Sequence, residues 1–221
     1  MAEIVILGAG KFGSRAALRL SGSHKNHITV VDEDQDRCKK SAGPRIDTVC
    51  RESIDYLHDC LRQKVMPDWI VPAVPVHVAY EWMKKALPAG WEIAPHPVPD
   101  EVARMLPNPM AGTDGQLYSS YADFICPEDC PEPAEICTFT GKARKGTLYR
   151  TLAQVTFKNY RSVVVQSRQM APGMGGYRPR ALMEVRRQVL SGDAPVLLSS
   201  ACKCHGVTHA FHLVSVHRGH L

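Results

Sequence analysis

No run in this chain approaches the roughly 20 consecutive apolar residues that a membrane-spanning helix needs. Nor does a charged leader precede an apolar segment, because Met1 to Leu7 already reads as a strand. A membrane-inserted or exported protein is therefore not expected, and the chain reads as cytoplasmic. A basic stripe is also missing. The 27 Lys and Arg residues are scattered among 22 Asp and Glu for a net charge of +5, which gives no footprint for nucleic acid. The densest basic stretch, Lys142 to Lys145 with Arg144, sits beside glycines and reads as a solvated loop. Internal repeats, low-complexity tracts, a Walker-type Lys-Ser ending and an unmistakable acid–base pair are absent too. What remains is ordinary for a globular protein, with 44% apolar and 22% charged residues. Its 221 residues suffice for one large α/β domain or two small ones.

Residues 4 to 13 read Ile-Val-Ile-Leu-Gly-Ala-Gly-Lys-Phe-Gly, an apolar strand running into G-x-G-x-x-G, and Asp32 closes the next apolar run. Strand, glycines, helix and acidic residue come in the order of a dinucleotide-binding fingerprint. Gly8 allows the sharp turn, Gly10 leaves room for a pyrophosphate and Gly13 lets helix and sheet approach. Lys11 and Phe12 open the following helix, whose free N–H groups and dipole favour phosphate. Asp32 can accept hydrogen bonds from ribose hydroxyls and would repel a 2′-phosphate, favouring NAD(H), although Arg37 and Lys39 weaken that preference.

The first 95 or so residues alternate strand and helix. Strands are predicted at Glu3 to Leu7, His27 to Asp32, Arg45 to Val49, Asp68 to Val71 and Trp91 to Ala94, and a helix near Val78 to Leu87. Such alternation implies a parallel sheet with right-handed crossovers. From Pro95 to Pro133 prolines dominate, interrupted by a short helix near Asp100 to Leu106. Tyr118, Tyr121 and Phe124 mark this passage as a packed functional loop. Beyond it the expected elements are a helix from Thr147 to Phe157, a strand from Ser162 to Ser167, a helix from Pro179 to Leu190, a strand from Pro195 to Ser200 and a closing helix from about Val207 to Val216. The expected fold is α/β, a Rossmann-like parallel sheet (residues 1–110) followed by a small cysteine-containing α/β region (residues 111–221).

Cys38, Cys50 and Cys60 read as small semi-buried side chains. The other five of the eight cysteines are grouped, as Cys126-x3-Cys130-x6-Cys137 and as Cys202-x-Cys204 followed by His205. In a chain read as cytoplasmic this grouping points to metal before disulfide. Cys126, Cys130 and Cys137 with either Cys202 or Cys204 would make a four-cysteine site, and His205 offers a Cys3His alternative that suits zinc. Proline after Cys126 and Cys130 also occurs beside iron–sulfur ligands. The spacing matches neither a ferredoxin run nor a paired C-x2-C ribbon, so iron–sulfur and zinc both stay open, as does a switchable disulfide. Cys204 and His205 are the side chains expected to carry chemistry. His209 and His212 follow at helical spacing and read as partly exposed. Gly173 to Gly176, with Arg168, Arg178 and Arg180, reads equally as an anion-holding loop and as a flexible turn. The loops after Ser167 and Ser200 should share one sheet edge with these glycines.

The segment from Ile4 to Gly13, with Val30-Val31-Asp32-Glu33-Asp34, resembles the NAD-binding domain of Trk-type potassium uptake regulators over about the first 60 residues. The resemblance implies that Gly8, Gly10, Gly13 and Asp32 hold the cofactor. It ends soon afterward, where Val49-Cys50-Arg51-Glu52 stands in place of the Gly-Asp pair usual in those domains. The second half is similar to cysteine-containing proteins of anaerobic bacteria. The expected function is an NAD(H)-binding redox protein with a cysteine-ligated metal centre near the nucleotide. The alternative is a regulator that senses NAD or redox state without turnover. A redox or regulatory protein partner and self-association are compatible with both.

Overall fold

The computed structural model describes residues 1–216. The first half-chain alternates as expected: β1 (Ala2–Leu7), α1 (Lys11–Ser21), β2 (Asn26–Asp32), α2 (Gln35–Ser41), β3 (Ile46–Cys50), α3 (Ser53–Arg62), β4 (Trp69–Pro72) and α4 (Val78–Ala86). Its four strands form one parallel sheet in the order β3-β2-β1-β4. Ile4, Ile6, Ile28 and Val30 pack against Ala16, Ala17 and Leu20 of α1. Val5, Leu7, Val31 and Ile70, on the opposite face as strand alternation requires, pack with α3 and α4. Local signals agree with the boundaries. The Asp34 carboxylate caps α2, accepting from the N–H groups of Asp36 and Arg37, and Glu52 caps α3 in the same way.

The fifth expected strand departs from this sheet. β5 (Trp91–His96) follows α4, and then come α5 (Asp100–Met105), β6 (Met110–Ala111), β7 (Leu117–Ser120), α6 (Leu148–Ala153), β8 (Arg161–Gln166), β9 (Arg168–Ala171), β10 (Met174–Gly176), α7 (Pro179–Val189), β11 (Val196–Ala201) and β12 (His205–Ser215). A second sheet runs β6-β7-β12-β11-β8, and β5 also pairs with β12, antiparallel. The chain therefore enters the second sheet at residue 91. The unit β8-α7-β11 is the expected parallel crossover, with Pro179 at the start of α7.

The closing helix expected over Val207 to Val216 is instead β12. Its residues include Val207, Thr208, Phe211 and Val214, which suit a pleated surface. β11 pairs along one of its edges, and β7 and β5 along the other. Ladder partners on both edges outweigh a three-to-four-residue spacing of histidines, which carries little helical signal of its own. On the strand His205 and His209 share a face and His212 points the other way.

α3, α4 and α7 lie between the two sheets. One core joins Leu7, Val31 and Ile70 of the first sheet to Trp82, Met83, Leu182 and Val189 of the helices and to Val163, Leu198 and Phe211 of the second. α5 and α6 cover the outer face of the second sheet through Val102, Leu148 and Leu152 against Leu197, Ala201 and Ala210. Among the described residues no helix is long and apolar enough to cross a membrane.

Candidate functional site

The glycines at the end of β1 have the three distinct environments that their motif requires. Gly8 has φ +99° and sits so close to β4 that a Cβ would lie 2.7 Å from the Ala73 carbonyl oxygen. A Cβ on Gly13 would overlap the Gly8 carbonyl, whereas one on Gly10 would meet nothing within 4 Å. Space is therefore open at the position where such a motif admits a ligand, and closed where helix and strand pack. Gly10 precedes α1 without a side-chain cap, and the first turn has no acidic residue. The leading N–H groups of α1 are thus left for an anion.

Asp32 is buried, and its carboxylate accepts hydrogen bonds from the N–H groups of Ala9 (2.6 Å) and Asp34 (2.9 Å). It pins the glycine loop to the end of β2, while lone pairs remain for a ribose hydroxyl. The Arg37 guanidinium stands 4.0 Å away.

A loop from the second half lies across the start of α1. Glu128, between Cys126 and Cys130, takes a hydrogen bond from Lys11 Nζ (2.5 Å) and another from Arg15 (2.8 Å), which also donates to the Glu128 carbonyl. The β9–β10 hairpin holds the same loop from behind. Gln169 Nε2 and the Gly173 N–H both donate to the Cys130 carbonyl, at 2.7 and 2.8 Å. Gly173 has φ +72°, and a Cβ there would run into the Glu128 carbonyl. Gly173 to Gly176 thus belong to a hairpin that clamps the cysteine loop. Arg178 instead bonds Asp68 and lies over the Trp69 ring.

Cys126, Cys130, Cys137 and Cys204 line one cavity of about 150 Å³, together with Phe124, Thr140 and Arg144. The four thiols come from three turns. A hydrogen bond from the Cys130 N–H to the Pro127 carbonyl shapes the first turn, an Ile136–Ala143 bridge closes the second, and the third joins β11 to β12. Arg144 is not in a solvated loop as expected. It points inward and donates to Cys204 Sγ. Among the described residues no three Cys, His, Asp or Glu side chains are drawn close enough to hold one ion. The thiols surround a space without closing on a point.

Burial, and then the neighbouring thiols Cys130, Cys204 and Cys137, push the Cys126 thiol up to about 11. Burial also raises Cys204, against the pull of Arg144. Hydrogen bonds from Thr140 lower Cys137. A cation at their centre would relieve this crowding of thiolates.

A larger cavity of about 640 Å³ adjoins the thiols and extends to Phe12 of the glycine motif and Pro72 at the end of β4. Cys126, Cys130, Cys202, Cys204 and His205 lie on its wall, as do Ser167, Tyr177 and Ser200. Its place, outside the carboxyl ends of β4, β8 and β11, is where open α/β sheets bind ligands. The expected ligand set therefore divides. Cys204 borders both cavities, while Cys202 and His205 border the large one. Cys202 Sγ accepts from the N–H groups of Cys204 and His205, both at 3.4 Å, and burial pushes its thiol up to about 12. Burial holds His205 below its ordinary value.

Sequence reasoning missed Glu128, Glu132, Arg144 and the buried polar group of His77, Ser200 and His209. Glu132 accepts from the Lys203 N–H at 2.6 Å and so ties the two cysteine turns together. His209 is buried, contrary to the expected partial exposure, because β12 lies in mid-sheet. The position of His77 just beyond β4, at the sheet's carboxyl edge, was the one signal available for it.

These features are those of a two-sheet α/β protein in which a dinucleotide-type loop faces a cysteine cluster, and residues 4–56 match the TrkA-N domain. Domains of that kind commonly bind NAD(H), which agrees with the open glycine loop. The chain belongs to the family described as "Uncharacterized protein, C-terminal domain", whose model matches residues 79–214. It is also similar to an "Uncharacterized protein" of Archaeoglobus fulgidus (strain ATCC 49558 / DSM 4304 / JCM 9628 / NBRC 100126 / VC-16). That protein is 28% identical over an alignment of 221 residues, covering 93% of this chain and 97% of the relative.

Proposed function

We propose that this chain is an NAD(H)-binding redox protein in which the nicotinamide end of the nucleotide enters the larger cavity, beside a metal held by Cys126, Cys130, Cys137 and Cys204. The observation that carries this reading is the grip of Lys11 and Arg15, on the helix of the glycine motif, on Glu128 between two of the thiols. Four soft donors lining one small space are the donor chemistry of an iron–sulfur cluster or zinc, toward which the thiols would have to draw in, and Arg144 would offset the negative charge of the thiolates. An iron–sulfur cluster would supply one-electron exchange, and a four-thiolate zinc would brace the loop. The chain's own residues do the rest. Gly10 and the start of α1 receive the pyrophosphate, Asp32 takes the ribose, and Cys202, Cys204 and His205 face the reacting end.

A second reading, a sensor without turnover, is favoured by the same ion pair. A pyrophosphate at α1 competes with Glu128 for Lys11, so that nucleotide binding would shift the cysteine loop. The test is metal and sulfide content with a visible spectrum on protein purified without oxygen, against a Cys126→Ser/Cys130→Ser variant, and calorimetric titration with NADH. Iron with acid-labile sulfide, lost in the variant, supports the electron-carrying form, and stoichiometric zinc the bracing form. Protein free of metal in both preparations overturns the metal centre. Absence of NADH binding overturns the dinucleotide reading.

A further inference from the structure

One wall of the larger cavity is used by neither the glycine loop nor the thiols. Ser200, near the end of β11, lines it. Its Oγ lies 2.9 Å from His77 Nε2, and His77 Nδ1 lies 2.9 Å from His209 Nδ1. The register of the second sheet explains the arrangement. His209 is the ladder partner of Leu198, so Ser200 and His209 stand on the same face, and His77, just before α4, reaches both. Tyr80 lies flat against the His209 ring, with centroids 3.9 Å apart and planes 6° from parallel, which fixes its orientation. Both imidazoles are buried. The charged groups facing His209 are Glu81, Lys84 and Asp114, of which Lys84 and Asp114 are exposed. Three proton-exchanging groups thus form an unbroken chain from the cavity wall toward charged groups at the solvent.

A second observation points to a ligand in the same cavity. Tyr177 lines the cavity, is 2% exposed, and its hydroxyl has no hydrogen-bond partner among the described residues. A buried phenol without a partner is costly, and a ligand oxygen in the cavity would satisfy it.

We propose that Ser200, His77 and His209 form a proton relay that serves a carbonyl or alcohol substrate in this cavity, with the Tyr177 hydroxyl as the second hydrogen bond to the substrate oxygen. The proposal rests on the dinucleotide reading above and names its substrate class. In the reducing direction the nicotinamide of NADH delivers hydride, with its electron pair, to the carbonyl carbon, and the C=O π pair moves onto oxygen. That oxygen takes the Ser200 proton. Ser200 takes one from His77 Nε2, His77 Nδ1 takes one from His209 Nδ1, and His209 regains a proton from solvent at Nε2. One hydride and one proton convert carbonyl to alcohol and NADH to NAD⁺. Each imidazole only exchanges one neutral tautomer for the other, so the transfer requires no cation in a site where desolvation disfavours charge. Ser200 does not sit on the strained turn of a nucleophilic serine. Its residue is paired with Val165 and Val207 within the sheet.

The test uses the full chain, NADH, and short aliphatic aldehydes, ketones and 2-oxo acids as probes, with NADH consumption as the readout. Ser200→Ala and His77→Gln should lower kcat by about 100-fold or more, with NADH affinity unchanged, and Ser200→Thr should recover most of the loss. In ¹⁵N-labelled protein, His77 and His209 should show coupling across their shared hydrogen bond, and Ser200→Ala should move the His77 Nε2 resonance. Unchanged kcat in Ser200→Ala, or no His77–His209 coupling, overturns the relay. NADH binding without consumption of any probe overturns the substrate class. If NADH does not bind at all, the reading beneath the proposal fails, and the nitrogen resonances then decide the relay separately.

Discussion

Lys11 Nζ and Glu128 Oε1 are 2.5 Å apart although 117 positions separate them in the chain. One belongs to the first turn of the helix that follows the glycine motif, and the other to the loop that carries Cys126 and Cys130. A carboxylate therefore engages a cation that the proposed nucleotide site would use for phosphate.

Replacing that carboxylate should favour the nucleotide. Glu128→Gln is expected to tighten NADH binding by about two- to fivefold, the size of an exposed ion pair, and to increase its dependence on salt, because the attraction of Lys11 for phosphate is then no longer offset by an ion pair lost. Isothermal titration across a salt series measures both, and weaker binding in the variant would refute the competition.

The glycines should separate folding from binding. Gly13→Ala drives a methyl into the Gly8 carbonyl and should lower stability by about 1–3 kcal/mol, visible as a fall of several degrees in Tm. Gly10→Val meets open space, so it should fold normally and lose NADH. Thermal melts with and without nucleotide distinguish the two.

Acid should destabilise the protein through the buried histidines. Burial, with His209 as a further influence, holds His77 down at about 3, and burial holds His209 at about 4. Both lie below the ordinary imidazole value near 6.5, so the unfolded chain binds these protons first. Stability is full above that value and falls as pH drops toward the folded-state values, by up to about 1.4 kcal/mol per pH unit for each ring. Urea unfolding from neutral pH to pH 4 reads this slope, and His77→Gln with His209→Gln should flatten it.

Removing the Tyr177 hydroxyl should not harm the fold. It is buried and without a partner among the described residues, so Tyr177→Phe is expected to leave the urea midpoint unchanged or raise it. A large loss of stability would mean that the hydroxyl has a partner inside the free protein.

Arg144 should govern the reactivity of one thiol. Its guanidinium holds the Cys204 thiol below where burial alone would put it. Arg144→Gln in metal-free protein should therefore slow alkylation of Cys204 severalfold, as followed by peptide mass spectrometry, and should leave Cys50 unaffected.

The nucleotide half was legible because its signals are local. Gly8, Gly10, Gly13 and Asp32 act within one strand–turn–helix unit, so order and spacing suffice. The thiol grouping was half legible. The shared cavity of Cys126, Cys130, Cys137 and Cys204 follows from proximity of turns, but the choice of Cys204 over Cys202 depends on the tight β11–β12 hairpin. β12 was misread because a strand's identity lies in its neighbours. Nothing between Val207 and Val216 announces that β5, more than 100 residues earlier, will pair with it. His77, Ser200 and His209 were invisible for a related reason, since their contact exists only once β11 has paired with β12 and α4 has packed on them.

The position of β12 in chain order also sets a timetable. The four-stranded parallel ladder has all its strands once residue 72 has been made. The second sheet cannot close until the last of its strands arrives, because β5 and β7 meet β11 and β8 only through β12. During vectorial synthesis an early foldable unit must wait, with the thiols of residues 126–137 unsheltered, for the last strand to emerge. The turn that brings Cys204 beside Cys126, Cys130 and Cys137 thus takes its final shape well after the glycine motif is in place.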